Sequence, residues 1–215
     1  MDKLNIIVVT DSASWFVPYA EKLIAKFSSL GHRVTLAYGF DGQNSYDLCF
    51  LLSYGKIVPP EKLKLNKHNL VVHESALPQG KGWSPLTWQI LEGRDEIPIT
   101  LFEADAAVDA GDIYLVDAMY FRGNELVDEL RAVQGSATIS LCTRFVQGYP
   151  DILSQAVRQT GEESFYPRRR PQDSRLAIDK NIRENFNLLR VCDNERYPAF
   201  FEYRGARYTL KIYRE

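Results

Sequence analysis

Four short apolar runs in the first third of the chain constrain the fold more than any other feature. Ile6-Ile7-Val8-Val9 ends in Thr10-Asp11-Ser12, and Val34-Thr35-Leu36-Ala37-Tyr38, Leu48-Cys49-Phe50-Leu51-Leu52 and Leu70-Val71-Val72-His73 follow. Runs this short and this continuously apolar read as strands buried on both faces, which occurs where helices cover a parallel sheet. Between the first two, Phe16, Tyr19, Ala20, Leu23, Ile24 and Phe27 recur at helical spacing, and Gly31 stops the helix. Ile99-Thr100-Leu101-Phe102 reads as a further strand, Asp109-Ala110-Gly111-Asp112 as a turn and Ile113-Tyr114-Leu115-Val116 as a strand, before a helix over residues 125–147. Apolar runs alternating with helical stretches predict an α/β fold, a mostly parallel twisted sheet of Rossmann-like type with helices on both faces.

Length and composition set the bounds. The 215 residues are 45% hydrophobic and 25% charged, ordinary values for a globular chain. Two prolines bracketing three arginines, Tyr166-Pro167-Arg168-Arg169-Arg170-Pro171, read as a solvated linker. That places a catalytic domain at 1–165 and a C-terminal extension at 166–215, made of a linker, a helix and a hairpin. In the extension Ile178, Ile182, Phe186 and Leu189 form a helical stripe. Tyr203, Tyr208, Leu210, Ile212 and Tyr213 give one apolar face, read as packing on its own domain, with a homodimer contact as the alternative. A net charge of -2 argues against a broad nucleic-acid surface. No apolar run approaches the roughly 18 residues of a membrane helix, and no membrane partner is expected. Cys49, Cys142 and Cys192 are odd in number and form no CxxC, so buried thiols in a reducing cytoplasm are expected, with no metal.

Ligands of open parallel sheets bind outside the C-terminal strand ends. Those ends deliver Asp11, Ser12 and Ser14; Ser53 to Lys56; His73, Glu74 and Ser75; and, past Phe102, Glu103, Asp105 and Asp109. His73 ends an apolar strand ahead of the Pro/Gly loop 77–82. It serves either as a titrating group or as a histidine satisfied by a backbone carbonyl. His32 and His68 sit among turn residues and read as solvated. Asp109 alone is an ordinary turn former. Beside an imidazole, a carboxylate favours the charged ring and fixes its orientation. Ser12, Ser14 and Trp15 precede a helix, where they cap it or hold an anion.

Three motifs in order then carry a family resemblance. His73-Glu74-Ser75-Ala76-Leu77-Pro78, Gly82-Trp83-Ser84-Pro85-Leu86-Thr87-Trp88 and Val108-Asp109-Ala110-Gly111-Asp112 resemble the formyltetrahydrofolate-dependent formyltransferases, and Tyr54-Gly55-Lys56-Ile57-Val58-Pro59 is similar to that family's strand-to-loop segment beside the folate. Asp173 to Ile178 and Arg190 to Phe201 resemble the end of sugar N-formyltransferase domains. The whole is similar to formyltransferases acting on nonulosonic acids such as pseudaminic acid, and to the formyltransferase domain of the aminoarabinose-modifying enzyme. The resemblance implies that N10-formyltetrahydrofolate is the co-substrate and that the acceptor is the amine of an amino sugar, nucleotide-linked or nonulosonic, destined for a surface glycan.

Carried over residue by residue, the family's catalytic histidine is His73 and its aspartate Asp109. Its asparagine falls on Val71, a departure from the pattern. Asn69 lies four residues before His73, roughly 13 Å away in a strand, so either a bulge shifts the register or another donor serves. The implied donor slot uses Tyr54, Ile57, Leu101, Phe102, Glu103, Asp105 and Val108. The implied acceptor side uses Ser12, Ser14, Trp15, Ser75, Lys81 and Trp83. Competing readings are a methionyl-tRNA formyltransferase, for which the residues after the linker are few, glycinamide ribonucleotide formylation, a formyltetrahydrofolate hydrolase, and a non-catalytic folate- or sugar-binding protein on the same fold.

Overall fold

The computed structural model describes residues 2–40 and 45–215. In chain order the first half carries β1 (Asn5–Val9), α1 (Val17–Ser29), β2 (Arg33–Ala37), β3 (Leu48–Leu51), α2 (Pro60–Leu63), β4 (His68–His73), β5 (Lys81–Gly82) and α3 (Pro85–Leu91). Then come β6 (Glu96–Glu103), β7 (Ile113–Tyr120), α4 (Val127–Gly148), β8 (Phe165–Tyr166), α5 (Ile182–Val191), β9 (Ala199–Tyr203) and β10 (Ala206–Leu210). The main sheet has the order β2-β1-β3-β4-β6-β7.

The strands β2, β1, β3 and β4 are parallel, as the apolar runs predict, whereas β6 and β7 each run antiparallel to their neighbour. A continuous apolar run reports burial but not direction. Direction comes from the connection, and α3, seven residues and about 10 Å long, is too short to carry the chain back along a strand of about 20 Å. The consequence for the site is direct. Thr100 lies opposite His73 and Glu103 opposite Leu70, so β6 ends beside the start of β4.

Alternation along each strand divides the core. Ile6, Val8, Phe50, Leu70 and Leu101 face α1 and α4, packing with Phe27, Leu141 and Phe145. Ile7, Val9, Cys49 and Leu51 face the other side, with Val58 and Leu63. All three cysteines are buried free thiols, and burial pushes that of Cys49 up to about 12. Among the described residues no helix is long and apolar enough to cross a membrane.

Three sequence expectations shift. His32 is buried rather than solvated, its Nδ1 accepting from Leu4 N at 3.3 Å. His68 opens β4 half-buried, its Nδ1 3.1 Å from Glu103 Oε2. The tail stripe is displaced, because α5 begins at Ile182, leaving Ile178 outside it and both isoleucines exposed. The tail packs instead through Leu176, Leu189, Cys192 and Ala199, with Leu210 and Ile212 of the hairpin against them, while Tyr213 is exposed.

Candidate active site

A crevice of about 920 Å³ opens over the C-terminal ends of β1, β3 and β4. Segments 11–16, 51–58 and 71–74 line it from the sheet, and Arg131, Gln134 and Thr138 from α4. More distant segments line it too: 82–87, 104–109 after β6, Arg168–Arg170 after β8, and Ser174, Val191, Asp193, Arg196 and Tyr197 nearer the C-terminus.

The loop after β6 reaches the crevice because the chain is pinched at its base. Glu103 N donates to Asp112 O at 2.9 Å, and Ala104 N to Asn69 O at 2.6 Å. The pinch requires Gly111, since a Cβ there would lie 1.8 Å from the Glu103 carbonyl oxygen. Residues between are thrown across the sheet face, carrying Asp109 to the level of His73. Asp109 has a φ of 51°, a left-handed conformation that Asp tolerates better than most residues. Gln159 Nε2 donates to the carbonyls of Asp109 at 3.0 Å and Gly111 at 2.8 Å, fixing the turn.

His73 and Asp109 therefore meet. Asp109 Oδ2 lies 3.9 Å from His73 Nε2 and accepts from Gly82 N at 2.8 Å, and both side chains are mostly buried. His73 Nε2 also lies 2.8 Å from Gly80 O, to which it donates as Nε2–H. The carbonyl contact of the second sequence reading is present at Nε2, with a carboxylate beside it. The loop that supplies Gly80 and Gly82 is tied down by the C-terminal side of the chain. Gly80 N donates to Ser164 Oγ at 2.9 Å, and β5 pairs with β8. Gly82 has a φ of 97°, and a Cβ there would lie 2.5 Å from Tyr166 O, so a glycine is required.

The other sequence-derived residues divide. Tyr54, Ile57, Phe102, Asp105 and Val108 line the crevice with Val58, Leu63 and Val71, and so do Ser12, Ser14, Trp15 and Trp83. Ser14 Oγ accepts from Phe16 N at 3.1 Å and so satisfies the backbone at the entry to α1. Four residues stand outside the crevice. Leu101 faces the opposite side of the sheet from Phe102 and is fully buried in the α1/α4 core. Glu103, delivered to the far end of β4 by the antiparallel pairing, accepts from Asn69 N and Tyr114 OH. Lys81 is buried, with Nζ 2.6 Å from Glu163 Oε1. Ser75 is buried behind the strand end, its carbonyl accepting from Thr100 Oγ1 at 2.7 Å.

The β4 register is regular, so no bulge brings Asn69 forward. Asn69 is engaged elsewhere, donating to Leu63 O and accepting from Asn66 Nδ2. Val71 keeps its place on the crevice wall.

Sequence reasoning missed two features. Arg168, Arg169 and Arg170 line the crevice, while Arg168 and Arg170 stay exposed as a solvated linker would be. The Arg168 guanidinium lies 4.5 Å from the Trp83 ring centroid, and the Arg169 Nε is buried without a hydrogen-bond partner among the described residues. The signal available was the Pro-bracketed rigidity of the run, which holds arginines in place as readily as it spaces domains. The second feature is Gln134, on the crevice face of α4, whose Nε2 donates to Glu74 Oε1 at 2.7 Å.

Comparison with known proteins agrees with this fold. Residues 42–134 match the family described as formyl transferase. A methionyl-tRNA formyltransferase of Pelotomaculum thermopropionicum is 30% identical over 169 residues, 76% of this chain and 52% of the relative. The chain thus spans about half the length of the curated relatives it matches. HypX from Aquifex aeolicus, solved with tetrahydrofolic acid, superposes with a TM-score of 0.78 at 16% identity, over 98% of this chain and 38% of that one. A sugar N-formyltransferase from a Shewanella species superposes with a TM-score of 0.71 at 12% identity, over 98% of each chain. The fold is that of the formyltransferases, and residues 42–134 carry that family's sequence pattern.

Proposed function

We propose that this chain, built on the formyltransferase fold, transfers the formyl group of N10-formyltetrahydrofolate to the amine of an anionic amino sugar. One observation carries the reading: the mostly buried His73–Asp109 pair, 3.9 Å apart, in a crevice lined by both apolar side chains and arginines. The apolar lining of Val58, Leu63, Val71, Phe102 and Val108 suits a flat pterin. Tyr54 OH accepts from Phe40 N and so holds one side of the crevice in shape.

The chain's own residues supply the chemistry. As the acceptor nitrogen attacks, negative charge grows on the formyl oxygen, and a preorganised donor aimed there is the largest expected contribution. His73, held by Gly80 O through Nε2–H, offers its second ring nitrogen, Nδ1, as that donor when protonated. Asp109, held by Gly82 N, stabilises the resulting imidazolium. In the same crevice, Arg168 on Trp83 and the unsatisfied Arg169 Nε support an acceptor carrying phosphate or carboxylate, because guanidinium forks bind such groups bidentately.

The test is turnover of N10-formyltetrahydrofolate with a panel of amino hexoses, their 1-phosphates, their nucleoside-diphosphate forms and amino nonulosonic acids. Formylation of an anionic member, and not of neutral amino hexoses, is expected. Tight folate or sugar binding with no product anywhere overturns the reading in favour of a binding protein. The second reading, formylation of methionyl-tRNA, is favoured by the activity named for the 30%-identical relative. Strongly salt-dependent formylation of charged tRNA would establish it.

A further inference from the structure

Glu74 directly follows His73 at the end of β4 and lines the same crevice. Its partner is an uncharged one, Gln134 Nε2 on α4 at 2.7 Å, and among the described residues no cationic side chain pairs with it. A carboxylate sheltered from water, with an amide and its own backbone N–H as hydrogen-bond donors, is costly unless a cation arrives. The groups that act on it come from three elements. His73 on its own strand and Gln134 on α4 favour its charged form, whereas burial first and Asp109 on the β6–β7 loop second hold its carboxyl above the ordinary range.

An acceptor amine reaches the crevice mostly as ammonium at neutral pH, and only the free amine attacks a carbonyl. His73 and Asp109 already serve the formyl oxygen. We infer that Glu74, positioned by Gln134, binds the acceptor's ammonium group and removes its proton. The inference rests on the formyl-transfer reading. The proton balance is complete. Glu74 takes one proton from the ammonium and releases it to solvent. The freed lone pair forms the bond to the formyl carbon. The bond from that carbon to N10 breaks, its electrons go to N10, one of the two remaining amine protons passes to N10 by way of His73, and the other stays on the formamide nitrogen. Nothing is oxidised or reduced.

The experiment compares Glu74→Gln, Glu74→Asp and Gln134→Ala with wild type. It uses N10-formyltetrahydrofolate and the best acceptor of the panel, from pH 6 to 10. At pH 7 Glu74→Gln should lose roughly 100-fold or more in kcat/KM for the acceptor. The loss should shrink toward wild type above the acceptor's own amine pKa, where solution has already removed the proton. The KM for the folate should stay within twofold. Glu74→Asp should recover part of the pH 7 activity, and Gln134→Ala should shift the acid limb of the profile with a smaller loss. A Glu74→Gln enzyme within threefold of wild type across the range, or a deficit equal at every pH, overturns the assignment. If Glu74→Gln does not fold, an unchanged acid limb in both Glu74→Asp and Gln134→Ala overturns it instead. A wild-type protein that formylates nothing in the panel or on tRNA overturns the functional reading itself, which separates the two failures.

Discussion

Replacing Asp109 by asparagine removes one charge while leaving the geometry nearly intact. The amide oxygen still accepts from Gly82 N, and asparagine is as tolerant as aspartate of the left-handed φ of 51°. What changes is the interaction with a protonated His73. At 3.9 Å, and with an effective dielectric of about 20 for so sheltered a pair, two unit charges interact by about 4 kcal/mol. That interaction exists only when the ring is charged, which under the proposed chemistry is the form that donates to the formyl oxygen. The barrier should therefore rise by about the same amount, close to a thousandfold in kcat/KM. Folding should change little, because the hydrogen bond to Gly82 and the Gln159 clamp on the main chain survive. The assay is single-turnover formyl transfer at pH 7, with a thermal melt as control. A loss under tenfold in a protein that melts with wild type would refute the charge argument. A large loss with an early melt would show that Asp109 works by holding the loop.

Three further outcomes follow from the same contacts. Gly111→Ala forces a methyl to within 1.8 Å of the Glu103 carbonyl oxygen, so it should cost at least about 3 kcal/mol, or about 6–12 °C in Tm, and a melt within 2 °C of wild type would show that the pinch yields. Arg169→Ala and Arg168→Ala should each raise KM for an anionic acceptor about tenfold or more while leaving KM for N10-formyltetrahydrofolate unchanged, and equal effects on both substrates would remove the arginines from the acceptor side. His32, whose pKa burial lowers from 6.5, gives a pH signature. The unfolded chain takes up this proton near pH 6.5 while the folded protein resists it, so stability is complete above that pH and falls as pH drops through it, by at most about 1.4 kcal/mol per pH unit. His32→Gln, which keeps an acceptor for Leu4 N, should flatten the urea midpoint between pH 7 and 5.5, and an unchanged slope would place the acid sensitivity elsewhere.

What was legible in the sequence follows from the range of the forces involved. Ile6 to Val9, Leu48 to Leu52 and Leu70 to His73 announce themselves because burial on both faces writes an unbroken apolar run, and neighbouring residues alone decide it. Strand direction is not written there, and one wrong sign displaced Glu103 to the far end of β4. Leu101 and Phe102 show the same limit at the scale of one residue. Both are apolar and adjacent, yet pleating sends one to the helix-covered core and the other to the crevice. The order of the motifs reached further than periodicity because the joint spacing of His73 and Val108-Asp109 reflects a contact across the pinch at Gly111, which no local pattern encodes. Lys81 and Arg168–Arg170 exchanged their expected places for one electrostatic reason. Lys81 sits on a two-residue strand against β8, where Glu163 pairs with it, while Arg168, just beyond β8 in a proline-flanked run, lies over the Trp83 ring. A cation's role here is set by which carboxylate the fold brings to it. Glu74, at the end of β4 with no cationic partner among the described residues, is accordingly placed to receive an incoming cation.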